Sequence, residues 1–150
     1  MADHEKAKFT IGAFAIISDE DNKVLLCHRR DYNLWNLPGG TVEKNEAPWD
    51  TVIREIYEET GLDAKIKRLA GIYSKPEKNE LVFSYVCEVV SGSIRLNDEA
   101  DQITYFAIDN IPTNTSPKQV ERIRDAQQNI LIFKTQTGKS SIDLVKEGKL

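Results

Sequence analysis

Residues 40–62, GTVEKNEAPWDTVIREIYEETGL, decide how the rest of the chain is read. Their centre carries Glu55, Glu58 and Glu59 at i, i+3 and i+4, a spacing that puts all three carboxylates on one side of an α-helix. Glu46 lies just before that helix or in its first turn. Plotted at about 100° per residue, Trp49, Val52, Ile53 and Ile56 gather into an apolar stripe beside the acids. Pro38-Gly39-Gly40 gives a tight entry, Asn45 is a good N-cap, Pro48 falls in the first turn, and Gly61 stands where a left-handed C-cap is wanted.

Three acids on one helical face repel each other, by roughly a few tenths of a kcal/mol per exposed pair. They also stand toward the helix C-terminus, where the dipole already disfavours anions. A hard divalent cation removes both penalties, and clustered carboxylate oxygens suit Mg²⁺ or Mn²⁺ rather than Zn²⁺ or copper. A solvated acidic face is the alternative for an isolated ExxEE.

The acids are not isolated. The stretch fits G-x5-E-x7-R-E-U-x-E-E-x-G-U at Gly40, Glu46, Arg54, Glu55, Ile56, Glu58, Glu59, Gly61 and Leu62, where U is a bulky apolar residue. It resembles the signature box of the Nudix (MutT-type) hydrolases and spans 23 of 150 residues. The resemblance implies an α/β fold, a single-domain α/β/α sandwich around a mixed β-sheet. It implies hydrolysis of a nucleoside diphosphate linked to a second group, with Mg²⁺ or Mn²⁺ held by Glu55, Glu58, Glu59 and the backbone carbonyl of Gly39. Glu55 and Glu58 rank together as the general base, and Arg54 tethers the loop and an acid by charge-assisted hydrogen bonds. Arg29 or Arg30 would grip a substrate phosphate, against a solvated strand end as the alternative. Trp35, in the segment WNLPGG, would stack on a base or pack under the glycine loop, and Gly40 borders the same loop. Family members often add an acid from a later loop; here Glu99 fits, with Gln102 standing where a second acid is common. A soluble acidic loop at Asp98, Glu99 and Asp101 is the other reading.

Composition narrows the function classes. A chain of 150 residues suits one domain with a full core, and its net charge of −4 offers no broad basic field for nucleic acid. Cys27 and Cys87 fall in apolar runs without close spacing, which reads as reduced core thiols. The polar start MADHEKAK is no secretory signal and no stretch reaches transmembrane length, so a cytoplasmic monomer or homodimer is expected.

Along the chain, residues 9–18 and 24–29 read as strands joined by the turn DEDNK, hence as a hairpin. His28 reads as packed or solvated rather than catalytic. Residues 64–73 suggest one or two short strands broken at Gly71, residues 81–90 a long strand, and residues 102–108 another. Thr115 or Ser116 caps a second helix with Pro117 at its first position and a stripe of Val120, Ile123, Gln127 and Ile130. The tail after Gly138 is expected as a short strand or loose chain. Substrate choice leans to nucleoside triphosphates, oxidised ones among them. ADP-ribose, other nucleotide sugars and dinucleoside polyphosphates are the alternatives, and Pro76 nearly matches a proline common in ADP-ribose members. A nucleotide-sensing domain without turnover is the reading from another class.

Overall fold

The computed structural model describes residues 4–150, so the first three residues of the polar N-terminal segment lie outside the described residues. The strands are β1 (Thr10–Ile17), β2 (Lys23–Arg29), β3 (Trp35–Asn36), β4 (Gly39–Thr41), β5 (Leu62–Lys75), β6 (Glu80–Gly92), β7 (Ala100–Ala107) and β8 (Ile132–Thr135). The helices are α1 (Pro48–Thr60), α2 (Pro117–Ala126) and α3 (Ser141–Lys146). A five-stranded mixed sheet runs β4-β1-β6-β5-β8, and a three-stranded antiparallel sheet runs β3-β2-β7.

Both faces of the central strands are covered, which explains their near-continuous apolar sequence. On β1, Ala13, Ala15 and Ile17 pack with Val52 and Ile56 of α1, whereas Ile16 packs in the cluster containing Ile123 and Ala126 of α2. On β2, Leu25 and Cys27 join the first cluster, Val24 and Leu26 the second. Period-two alternation thus feeds two cores, one under each helix, and the architecture is the expected α/β sandwich.

Several local expectations are corrected. The two leading strands do not form a hairpin. Both edges of β1 are taken, by β4 antiparallel and β6 parallel, so β2 crosses into the second sheet and only the bridge Ser18–Val24 links the two runs. Helix α1 is capped at Ala47, not Asn45, which sits in a left-handed turn at φ 67°. Its buried row is Val52, Ile56 and Thr60, an i, i+4, i+8 line; Trp49 precedes that row and is 57% exposed. Gly71 does not break a strand. Residues 62–75 form one strand that absorbs three register shifts against β6, one of them between Leu69 and Gly71.

Helix α2 begins as expected, with Ser116 at the N-cap and Pro117 in its first turn, but it stops at Ala126. Ile130 is exposed, and the buried face holds Gln119, Arg122 and Asp125 beside Ile123. Each of these three buried polar groups has a partner. Gln119 Oε1 accepts from Leu37 N–H at 2.6 Å, Arg122 donates to Gln136, and Asp125 accepts from the Tyr73 hydroxyl at 2.9 Å. The tail is helical: Ser140 Oγ accepts from Asp143 N–H at 3.2 Å and starts α3. No helix among the described residues is long and apolar enough to cross a membrane.

Candidate active site

The glycine pair before α1 is wedged between β1 and the helix. β4 pairs with β1 through Phe14–Gly39 and Ala13–Gly40. A Cβ on Gly39, whose φ is 153°, would lie 2.4 Å from Ala13 O and 2.7 Å from Phe14 Cα. A Cβ on Gly40 would lie 2.7 Å from Glu55 Oε1. The carboxylates of α1 reach the loop because neither residue has a side chain. At the floor, Gly39 N–H donates to Glu59 Oε2 at 2.9 Å.

Arg54 gathers the other acids. Its Nε and Nη2 donate to the two oxygens of Glu46 at 2.7 and 3.0 Å, and its Nη1 donates to Glu55 Oε1 and Glu58 Oε2, both at 3.0 Å. Glu46 Oε1 also accepts from the Thr51 hydroxyl at 2.6 Å. The Arg54 guanidinium and the Thr51 hydroxyl hold the pKa of Glu46 down to about 2. Arg54 thus ties the loop acid Glu46 to the helix and spreads a counter-charge among acids that would otherwise repel.

Glu55 and Glu59 behave differently from Glu46. Burial raises the pKa of both, most strongly at Glu59. The Gly39 N–H opposes that rise, and the adjacent Glu55 and Glu99 charges add to it. Glu59 lines a cavity of about 460 Å³ together with Gly39, Arg29, Arg30, Asp98 and Glu99. The structure thus brings Glu99 into the cavity of the box acid, while Asp101 turns away to His28 Nδ1 at 2.7 Å. His28 Nε2 lies 2.9 Å from Asn33 Oδ1, and the imidazole packs edge-on to Trp35. His28 borders the cavity with both ring nitrogens already bonded.

Arg29 is aimed by Asp31, donating from Nε and Nη2 at 2.7 Å each. Arg30 is aimed by its Nε donating to Asn97 O at 2.8 Å. Trp35 does not face this space. It is 8% exposed and packs edge-on to Phe106 beneath the loop, which corrects the stacking reading. Cys27 and Cys87 are buried free thiols, each with a pKa pushed up to about 12 by burial.

Asn97 was not singled out from sequence. Its Nδ2 donates to the Glu59 carbonyl, and its Oδ1 accepts from the N–H groups of Glu99 and Ala100 at 2.9 and 3.0 Å. It pins the acidic loop to the end of α1. The signal was present as an Asn opening a polar turn, a residue type that bonds its own following backbone.

The acids meet a hard cation only in part as they stand. Glu55, Glu59, Glu99 and the Gly39 backbone offer oxygen donors alone, the set that Mg²⁺ or Mn²⁺ prefers. Buried beside Glu55, Glu59 keeps its proton up to a pKa of about 9, a proton that a cation bound there would displace. Glu58 is 56% exposed at its side chain and shares Arg54 Nη1 with Glu55, so the guanidinium stands between those two carboxylates. Among the described residues, no three acidic, His or Cys side chains converge closely enough to hold an ion. The donor chemistry fits a hard cation.

The NUDIX domain family model matches residues 8–126. The chain belongs to the NUDIX family. Among its relatives is an ADP-ribose pyrophosphatase of Methanocaldococcus jannaschii, 36% identical over 64% of this chain and 61% of that protein. The chain thus spans less than two thirds of that relative. A putative 8-oxo-dGTP diphosphatase of Bacillus subtilis is 28% identical over 92% of this chain and 96% of its own length. Among solved structures, an ADP-ribose pyrophosphatase from Streptococcus suis superposes with a TM-score of 0.72 at 25% identity, covering 86% of this chain and all of that one.

Proposed function

We propose that the chain, acting as one domain, is a pyrophosphohydrolase that cleaves the diphosphate linkage of nucleoside diphosphate derivatives with Mg²⁺ or Mn²⁺. Hydrolases of the Nudix family work with divalent metal ions. The observation that carries the reading is the buried, proton-hungry Glu59 at the floor of a cavity whose rim presents Arg29 and Arg30. A carboxylate and a phosphate repel each other, so an acid-floored pocket with arginines at its mouth suits a phosphate chain bridged to the floor by cations.

Glu55, Glu59, Glu99, the Gly39 carbonyl and Glu58 would hold the ion. When bound, it supplies neutralisation of the diphosphate oxygens and acidification of water. Arg29, preset by Asp31, and Arg30, preset by Asn97, orient the phosphates with little rotamer entropy left to lose. Glu55 and Glu58 remain paired as candidates for the base, since both lie within reach of Arg54 and would shed that contact to accept a proton. Arg54 holds the loop so that Gly39 and Glu59 keep their register.

Nucleoside triphosphates, oxidised ones included, lead the substrate classes, in line with the Bacillus relative aligned over nearly its whole length. ADP-ribose is the second reading, favoured by the Methanocaldococcus relative and the Streptococcus structure. A panel of triphosphates, nucleotide sugars and dinucleoside polyphosphates assayed with Mg²⁺ tests both. Turnover of none of them, with ligand binding retained, would establish the sensing alternative instead.

A further inference from the structure

The cleft does not end at the glycine loop. A second cavity of about 480 Å³ continues from the first and shares Phe14, Arg29, Asn36 and Gln119 with it. Its far wall is basic: Lys75, Lys118 and Arg122 line it against one carboxylate, Glu80. The first lobe is floored by acids; the second is walled by cations.

Arg122 is the least ordinary of these groups. It is 2% exposed, and among the described residues no carboxylate forms a direct ion pair with it, although the charges of Glu80 and Glu121 act on it from further off. Its Nε and Nη2 both donate to the neutral amide oxygen of Gln136, at 3.1 and 3.0 Å. The guanidinium carbon lies 5.7 Å from the Phe14 ring centre and 5.4 Å from that of Tyr73. A buried guanidinium bonded to a neutral amide and two ring faces is left short of negative charge, which an anion in the adjoining cavity would supply.

The two lysines point to the same need. Lys75 Nζ donates to Glu80 at 2.8 Å and Lys118 Nζ to the Gly138 carbonyl at 3.0 Å, each leaving ammonium protons to spare. Burial, then the neighbouring Lys75, Lys78 and Arg122, lowers the pKa of Lys118, against a small opposing effect of Glu77. These cations repel each other across the space they line, and an anion between them relieves that repulsion.

We propose that this second lobe takes a phosphate group remote from the diphosphate to be cleaved, so that preferred ligands are nucleoside diphosphate derivatives carrying a further phosphate ester. The inference rests on the proposed hydrolase reading for the role of the first lobe. A dianionic phosphate balances two ammonium groups and a guanidinium once Glu80 is counted against them, where a neutral sugar or base leaves the excess positive charge unpaired.

Two matched ligand pairs test it by calorimetry in Ca²⁺ buffer, where the cation bridges the diphosphate to the acids but its looser coordination supports turnover poorly. ADP against adenosine 3′-phosphate 5′-diphosphate places the extra phosphate on the nucleoside side. ADP-ribose against ADP-ribose 1″-phosphate places it on the opposite side. In at least one pair the phosphorylated ligand binds about 10–100-fold more tightly, the worth of one well-made set of charge-assisted bonds. The arm that shows the preference identifies the side of the substrate that enters the lobe. In Lys75→Ala/Lys118→Ala, checked for folding by circular dichroism, the ratio falls toward one, and Lys118→Arg retains most of it. Ratios near one in both wild-type pairs, or a preference undiminished in the double variant, would overturn the proposal. Loss of hydrolysis across the Mg²⁺ panel would sink the hydrolase reading alone, because the binding ratios are measured without it.

Discussion

Replacing Glu59 with Gln probes the centre of the site through stability, before any turnover is measured. Burial raises the folded-state pKa of Glu59 above that of a free carboxylate, and Glu55 adds to the rise. The native state therefore binds more protons than the unfolded chain at intermediate pH. The stability this confers is fully present below the ordinary carboxylate range and is lost as pH rises through the folded pKa. A tenfold change in an acid constant is worth about 1.4 kcal/mol, and deep burial changes that of a carboxyl group by several powers of ten. With a folded-state pKa of about 9, Glu59 still holds its proton at pH 8 while the unfolded chain has released it, and relaxation and water entry reduce the realised cost of that difference to on the order of 3 kcal/mol. Gln keeps the shape and a carbonyl oxygen for the Gly39 N–H but carries no charge.

In EDTA at pH 8, Glu59→Gln is expected to melt roughly 6–12 °C above the wild type, at about 2–4 °C per kcal/mol for a chain of this size. At pH 4 the gap closes, since Glu59 is then protonated in both states. Mg²⁺ or Mn²⁺ narrows the gap at pH 8 by stabilising the wild type more, because binding to the native state adds RT ln(1 + [L]/Kd). Thermal melts followed by circular dichroism at both pH values, with and without cation, provide the measurement. A variant less stable than wild type at pH 8, or a gap that ignores pH, would refute the electrostatic account of Glu59.

The glycines separate fold from site. Gly40→Ala pushes only on the Glu55 carboxylate and is expected to lower kcat about tenfold or more with little change in melting temperature. Gly39→Ala meets backbone on two sides and is expected to lower the melting temperature itself. Arg54→Lys keeps the charge but loses the fork onto Glu46, so kcat should fall and the cation concentration for half-activity should rise. Glu99→Gln should shift that concentration upward too, measured by metal titration beside Asp98→Asn and Asp101→Asn; equal small effects in all three would leave Glu99 an ordinary loop acid.

The site was far more legible than the path of the chain around it. The glutamates at i, i+3 and i+4, the entry glycines and Gly61 follow local rules: helical spacing, a close approach of helix to loop, a left-handed cap at φ 80°. Such features declare themselves within a few residues. The failed hairpin did not, because residues 9–29 carry the same alternation whether β2 returns along β1 or crosses to a second sheet. What decided it was the competition of β4 and β6 for the edges of β1, and β6 lies far along the chain from its partner.

The basic lobe was hidden for a related reason. Apolar periodicity finds a helix by its oily face, and α2 buries Gln119, Arg122 and Asp125 instead. Reading KQVERIRDA as a weak stripe around Ile123 places the polar residues in solvent, where they would need no partners. The fold turns them inward, and each then has to be satisfied: Gln119 by the loop that carries Gly39, Asp125 by Tyr73 and Lys134, and Arg122 by a single neutral amide. Gln119 thereby ties α2 to the loop of the acidic lobe, and Arg122, one turn further along the same helix, stands in the basic one. One helix thus borders both halves of the cleft: Gln119 fixes Leu37 at the entry to the glycine pair paired with β1, and Arg122 lines the basic lobe.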